Sequence, residues 1–316
     1  IRAAGVVRGS KLINVPLSHV TKLLLKRSVQ LYLTTIVLVT LFTVLGWTFF
    51  MHSPGLKVGI APPSSDLLTL IWKTITLQYF YGWADYLRLY AIFLLVSPFA
   101  MWLLRRGWWY ILLIINIAVW LLFPAGPGVP DATQELLQPL SWQLIFFSGL
   151  SIGFYWNQIT AWWRSQPLVR RKIIRWTVIT LAIIMLVLNL IVTFGPTDFG
   201  LHSIPQAFSS YHLYVGYFDK ERLPITRIAL FFLWFWAAFF LFRRFEGVIK
   251  RFLGWLLLPF GTNSLYVYTL HALSLFFVHI WLVKGNIFFN FVLAASIIAI
   301  IRISIHYKFL MKIIPR

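Results

Sequence analysis

The stretch LYLTTIVLVTLFTVLGWTFF, residues 31–50, is 20 residues long and carries no charged side chain. A helix of that length crosses the hydrocarbon core of a bilayer, which is about 30 Å thick. In a helix every backbone hydrogen bond is made within the segment, which is what a lipid environment requires. The stretch therefore predicts a transmembrane helix, which we begin at Val29.

The whole chain has the composition of a multi-pass membrane protein. Of its 316 residues, 60% are hydrophobic and 11% are charged, which is too little charge for the surface of a soluble fold. The apolar runs predict an all-α fold, with a single membrane-embedded domain over residues 1–316 and eight spans. The predicted spans are residues 29–50, 86–104, 108–123, 140–156, 173–194, 227–243, 264–283 and 287–305.

Two further segments differ from these spans. Residues 66–80 form an amphipathic pattern that Ser65 or Asp66 can cap, and this pattern is typical of a helix that lies at the membrane interface. Residues 252–261 are apolar but contain Pro259 and Gly261, which predict a break in any helix there.

Charge is distributed unequally between the predicted sides of the membrane. The formal net charge is +20. If the first residues are cytoplasmic and the spans alternate, 21 basic residues fall inside and seven outside, whereas only one of the eight acidic residues falls inside. The pattern predicts that both chain ends are cytoplasmic, with basic clusters that attract anionic lipids. It indicates membrane orientation and argues against nucleic-acid binding.

Several classes of chemistry are excluded by absent residues. The chain contains no cysteine, which excludes disulfides, thiolate metal sites and a cysteine nucleophile. No Gly-rich phosphate loop and no H-E-x-x-H motif occurs, and no metal site is predicted. All carboxylates lie in loops or at span ends, which disfavours a cation-coupled transporter.

One histidine lies well within a predicted span. His271 is seven residues from Ser264, and helical spacing places both on one face with Tyr268. An ionisable group at membrane depth indicates function, because burial without a partner is costly. His271 and Ser264 are therefore candidate catalytic residues. The alternative is a histidine that only packs, bonded to a backbone carbonyl or a tyrosine.

A polar and aromatic cluster is predicted at the outer end of the second span. It contains Tyr81, Asp85 and Arg88, and the last two are three residues apart and can pair. Aromatic rings beside a carboxylate can hold a sugar ring, so these are candidate acceptor-binding residues, to which Trp142 and Gln143 can add. An interfacial aromatic belt with a surface ion pair explains the pattern equally well.

A basic group precedes the first span. Lys22, Lys26 and Arg27 lie within two helical turns and can bind the phosphates of a donor molecule. The alternative, an ordinary topology signal, is the stronger explanation of these residues.

Three segments resemble one known family. They are YGWADYLRLYAIFLLVSPFAMWLLRRG (81–107), PLSWQLIFFSGLSIG (139–153) and LLLPFGTNSLYVYTLH (256–271). In order and spacing they resemble the OpgC family, which is linked with succinylation of osmoregulated periplasmic glucans. That family resembles the acyltransferase-3 type of integral-membrane enzymes. The resemblance implies transfer of an acyl group from a cytoplasmic acyl-CoA to an extracytoplasmic carbohydrate, in the bacterial inner membrane and without a bound cofactor.

The resemblance also implies site residues. Lys26 and Arg27 correspond to the family's basic donor-side segment. The positions that match other family motifs are Asp85, Trp142, Gln143, Asn263, Ser264, Tyr266 and His271. The implied partners are an acyl donor, a carbohydrate acceptor and membrane lipids.

One family feature is missing, and this leaves other functions open. The R-x-x-x-x-D-x-x-R-G helix with its following histidine does not occur, so we expect an N-terminally truncated chain that is inactive alone, from a protein with about ten spans. The alternatives are a non-enzymatic carrier for a lipid-linked glycan and a scaffold subunit of an envelope complex.

Overall fold

The computed structural model describes residues 15–49, 60–80, 84–123, 131–194, 218, 223–281 and 286–311. Within these ranges the regular structure consists of eleven helices and no strand, which confirms the predicted all-α fold. The helices are α1 (Leu17–Phe49), α2 (Leu67–Ile75), α3 (Asp85–Arg105), α4 (Trp109–Leu121), α5 (Asp131–Phe154), α6 (Trp156–Ser165), α7 (Leu168–Phe194), α8 (Ile225–Arg244), α9 (Glu246–Thr262), α10 (Ser264–Trp281) and α11 (Ile287–His306).

Several helices expose apolar side chains that only lipid can cover. Five are long and apolar enough to cross a membrane: α1, α3, Leu168–Val192 of α7, α8, and Phe288–His306 of α11. In the most apolar windows of α7 and α11, the protein buries only 11% of the residues. Because an apolar helix cannot leave such a surface in water, the protein is a multi-pass membrane protein.

Each of the eight predicted spans overlaps a helix, but the helices differ from the predicted bounds. Helix α1 begins at Leu17 and α7 at Leu168, because basic residues that end a hydrophobic run do not end a helix. The spans predicted over 108–123 and 264–283 correspond to shorter apolar helices, Trp109–Leu121 and Ser264–Val278. The span predicted over 140–156 lies mostly in α5, which ends at Phe154 and is not among the five long apolar helices.

Helix α9 corrects the prediction of a break at Pro259. The helix continues through Pro259 to Thr262. Proline has no backbone N–H, so the carbonyl of Trp255, four residues earlier, loses its usual helical donor. The Arg302 Nε of α11 donates a hydrogen bond to that carbonyl, at 3.0 Å. A side chain 47 residues away thus replaces the missing donor.

The amphipathic helix α2 forms as predicted but is shorter. Asp66 caps it: its Oδ2 accepts hydrogen bonds from the Thr69 N–H at 3.0 Å and the Thr69 hydroxyl. The Thr69 hydroxyl, followed by its N–H, holds the pKa of the Asp66 carboxyl below its ordinary value. The helix ends at Ile75, because Leu77 adopts left-handed backbone (φ 58°) and turns the chain.

Helix α6 was not predicted from the sequence. Its residues include Asn157, Gln158 and Arg164, so it has no apolar run. Aromatic packing on α8 stabilises it instead: Trp156 stacks on Trp236 with ring centroids 6.3 Å apart, and Trp163 stacks on Phe240 at 5.4 Å.

The described residues divide into two compact units. One lies within Ala100–Arg251, and the other lies within Val15–Phe99 and Phe252–Arg316. In the first unit, α7 and α8 pack around Ala182 and Ala237, and the Trp234 indole N–H donates to the Ala182 carbonyl at 3.1 Å. In the second unit, α1 packs against α10 through stacked Phe42 and Phe276.

Candidate functional site

The predicted acceptor-binding cluster lies at the start of α3, in the unit that contains α1 and α10. The Tyr79 side chain positions the chain that leads to it. The Tyr79 hydroxyl accepts a hydrogen bond from the Ala61 N–H and shares another with the Thr43 hydroxyl, both at 3.1 Å. These contacts fix the segment after α2 against α1.

Arg88 is buried beneath this segment, with only 1% of its surface exposed. Its Nη1 donates to the carbonyl of Leu77 at 3.3 Å, and its guanidinium carbon lies 3.7 Å from the centroid of the Phe80 ring. The left-handed turn at Leu77 therefore provides a backbone acceptor, and Phe80 provides a cation–π contact. Arg88 is thus a buried cation whose contacts include a backbone carbonyl and an aromatic ring.

Asp85 and the neighbouring tyrosines lie beside Arg88 in sequence. The Asp85 Oδ1 accepts a hydrogen bond from the Tyr86 N–H at 2.6 Å. The exposed Tyr86 ring meets the ring of Tyr268 edge-on, with centroids 6.4 Å apart, and Asp85 is close enough to interact electrostatically with Tyr268. The structure thus brings a carboxylate and two tyrosines together from α3 and α10. Tyr81 lies outside the described residues.

The candidate catalytic residues occupy the same helix as Tyr268. Ser264 is the first residue of α10, and both Ser264 and His271 are exposed. His271 follows Tyr268 by three residues, about 4.5 Å along the helix axis. No hydrogen bond of the His271 ring falls within the described part of the chain.

Gln143 and Trp142 belong to the other compact unit, on α5. Gln143 is 6% exposed, and its Nε2 donates to the backbone carbonyl of Asn116 on α4 at 2.6 Å. Trp142 is half-buried. The side-chain amide of Gln143 therefore joins two helices within this unit.

A small cleft in this unit contains polar residues that were not predicted as site residues. It has a volume of about 250 Å³ and lies between α4 and α5, with one wall from α6. Its polar lining residues are Asn116, Ser148, Ser151 and Tyr155. Apart from its aromatic residues, the helix WYILLIINIAVWL contains one polar residue, Asn116. A polar group at membrane depth is costly, so this single asparagine was the signal in the sequence.

The predicted donor-binding residues lie near the start of α1. Lys22 and Lys26 are exposed, and Arg27 is half-buried with its Nη1 bonded to the Gln30 side chain at 3.3 Å. Across the described residues, no group of three or more His, Cys, Asp or Glu side chains is placed to hold a metal.

Comparison with known proteins identifies the family. The family model described as "OpgC protein" matches residues 3–312, which is nearly the whole chain. No curated protein and no solved structure matched the chain. The match confirms the predicted resemblance, and we conclude that the chain belongs to the OpgC family.

Proposed function

We propose that the protein is a membrane O-acyltransferase that moves an acyl group, of the succinyl class, from a cytoplasmic acyl-CoA to an extracytoplasmic glucan. The observation that carries this proposal is the family match over residues 3–312, because OpgC membership suggests a glucan-modifying acyltransferase. We place the protein in the bacterial inner membrane, with the basic side facing the cytoplasm.

The cluster around Asp85 supports an acceptor site at the predicted outer end of α3. The Asp85 carboxylate can accept hydrogen bonds from sugar hydroxyls, and the exposed Tyr86 ring offers a stacking face. The buried Arg88 holds the preceding turn in place, so its role is to position the site. The roles of Tyr81, Trp142 and Gln143 as acceptor contacts stay predictions from the sequence.

In the proposed reaction His271 is the general base. A glucan hydroxyl oxygen attacks the thioester carbonyl carbon while its proton passes to the His271 imidazole. The tetrahedral intermediate then collapses, the C–S bond breaks, and the CoA thiolate leaves and takes up the proton. His271 lies one helical turn from Tyr268, which supports this role since Tyr268 adjoins the acceptor cluster. The Ser264 hydroxyl orients a reacting group on the same face.

The donor requires cations on the cytoplasmic side. The phosphates of acyl-CoA are anionic, and the exposed Lys26 and half-buried Arg27 lie in the basic segment of α1. Lysine and arginine both bind phosphate, arginine in a bidentate manner. We therefore assign Lys26 and Arg27 to the donor.

The test is mass spectrometry of periplasmic glucans from cells that lack the intact gene and from cells that regain it. We expect acylated glucan only in the second case. Acylation by Asp85→Asn and His271→Ala variants should fall, by about 100-fold or more for a lost general base. Asp66→Ser is the matched control, because it removes another carboxylate but keeps a helix cap.

The measurement also separates the alternatives. A carrier or scaffold would change glucan amount or location, whereas the acylated fraction would be equal with and without the gene. That equality would overturn the proposal, provided that the protein is present in the membrane at normal amounts.

A further inference from the structure

A groove runs along the exposed surface of α11, and none of its lining residues is one assigned to acyl transfer. It encloses about 480 Å³ between α11 and the Trp255–Leu256 pair of α9. The groove is lined by Trp255, Phe291, Ala294, Ala295, Ile298 and Ala299, together with residues nearer the end of α11. The three alanines leave space that larger side chains would fill.

The dimensions of the groove match one leaflet of a bilayer. Its lining extends along α11 from Phe291 to Ile303, which is about 18 Å at the helical rise per residue. Half of the hydrocarbon core is about 15 Å thick. Because α11 is apolar and the protein buries little of its surface, the groove faces the acyl chains of the surrounding lipid.

The groove has one charged residue, and it lies at the end where a headgroup would be. Eight of the nine lining residues are apolar, and the ninth is Arg302, in the last turns of α11. Its Nε bonds to the Trp255 carbonyl, and within the described residues its two terminal nitrogens make no hydrogen bond. Those nitrogens are the fork that binds a phosphate with two parallel hydrogen bonds.

The surroundings of Arg302 favour an anion over a neutral headgroup. Residues 252–316 contain no aspartate or glutamate. Exposed Lys308 follows Arg302 at the same end of α11. A second cation near the first raises the affinity for a headgroup with net negative charge.

We propose that this groove binds one anionic phospholipid, with an acyl chain along the alanines of α11 and the phosphate on Arg302. The lipid comes from the leaflet nearest His306. It is a resident ligand, so the inference goes beyond the proposed acyl transfer and holds whether or not that proposal does.

The test measures lipid retention by the intact protein in detergent. Native mass spectrometry with palmitoyl-oleoyl phosphatidylglycerol, compared with the phosphatidylcholine of the same chains, counts bound lipids. We expect one tightly held phosphatidylglycerol. The double variant Ala295→Leu/Ala299→Leu fills the groove and should weaken its binding by about tenfold or more, which is the effect of about 1.4 kcal/mol. Ser296→Leu is the matched control, since Ser296 is exposed on the same helix and does not line the groove.

A second variant tests the charge without filling the groove. Arg302→Gln keeps an N–H donor for the Trp255 carbonyl but removes the cation. We expect its preference for phosphatidylglycerol over phosphatidylcholine to disappear while one chain is still retained. Equal phosphatidylglycerol binding by wild type and both variants, each monodisperse in size-exclusion chromatography, would overturn the proposal. Displacement of the lipid by millimolar inorganic phosphate would also overturn the proposal, because the site would then recognise phosphate alone.

Discussion

Removing the Arg302 guanidinium should destabilise the protein only while Pro259 is present. In the native chain Arg302 Nε bonds to the Trp255 carbonyl, which Pro259 deprives of its helical N–H donor. In a Pro259→Ala background, the new N–H of residue 259 can bond to that carbonyl. Arg302→Leu should therefore lower the free energy of unfolding when Pro259 is present, and should change it little in the Pro259→Ala background.

The expected size follows from measured hydrogen bonds. A hydrogen bond from a charged donor contributes about 1.5–3 kcal/mol in soluble proteins. Double-mutant cycles between membrane helices give about 0.6 kcal/mol on average and about 1.7 at most. The membrane values apply here because Arg302 lies on α11, which is apolar enough to span a membrane, and is only half-buried. We expect a coupling of about 1 kcal/mol.

The assay is the free energy of unfolding in mixed micelles with increasing dodecyl sulfate, for the native chain, both single variants and the double variant. A coupling between Arg302 and Pro259 of about 1 kcal/mol supports the reasoning. Independent sites add within about 0.3–0.5 kcal/mol. A coupling no larger than this additivity error would refute the claim that Arg302 replaces the donor that proline lacks.

Three further predictions concern other contacts. Gln143→Leu should lower the free energy of unfolding by about 1 kcal/mol, since the buried Asn116 carbonyl loses its donor; chemical unfolding measures this, and no loss would contradict it. Arg88→Lys should cost about 1–2 kcal/mol through its contact with Phe80, and an unchanged unfolding midpoint would argue against that contact. The pKa of Asp66 is lowered in the folded state, so its cap stabilises α2 fully above the unfolded pKa, and this stabilisation is lost as the pH falls through the folded pKa. Amide exchange of α2 should speed up over that pH range, and Asp66→Ser should abolish this pH dependence.

The sequence predicted most helices correctly because lipid makes helix formation nearly obligatory for long apolar runs. Its errors came from contacts between distant residues. Pro259 predicts a break when only neighbouring residues are considered, and Arg302 reverses that outcome from another helix. Helix α6 likewise depends on stacking of Trp156 on α8, which no local pattern reveals.

The candidate site was predicted in part. Helical spacing correctly grouped Ser264, Tyr268 and His271 on one helix, but it did not show which of them would be exposed. The burial of Arg88 depends on the left-handed turn at Leu77, a residue type that does not usually mark such turns. The partner of Gln143 is a backbone carbonyl, which carries no sequence signature.

Transfer of a labelled acyl group across the membrane tests the central claim most directly. Sealed inverted vesicles that contain the intact protein, with glucan inside and labelled succinyl-CoA outside, should yield labelled glucan. Vesicles with His271→Ala should yield little, and vesicles with Asp66→Ser should match the native protein. Equal labelling in vesicles without the protein, or no labelling by vesicles that contain it, would contradict the assignment as an acyltransferase.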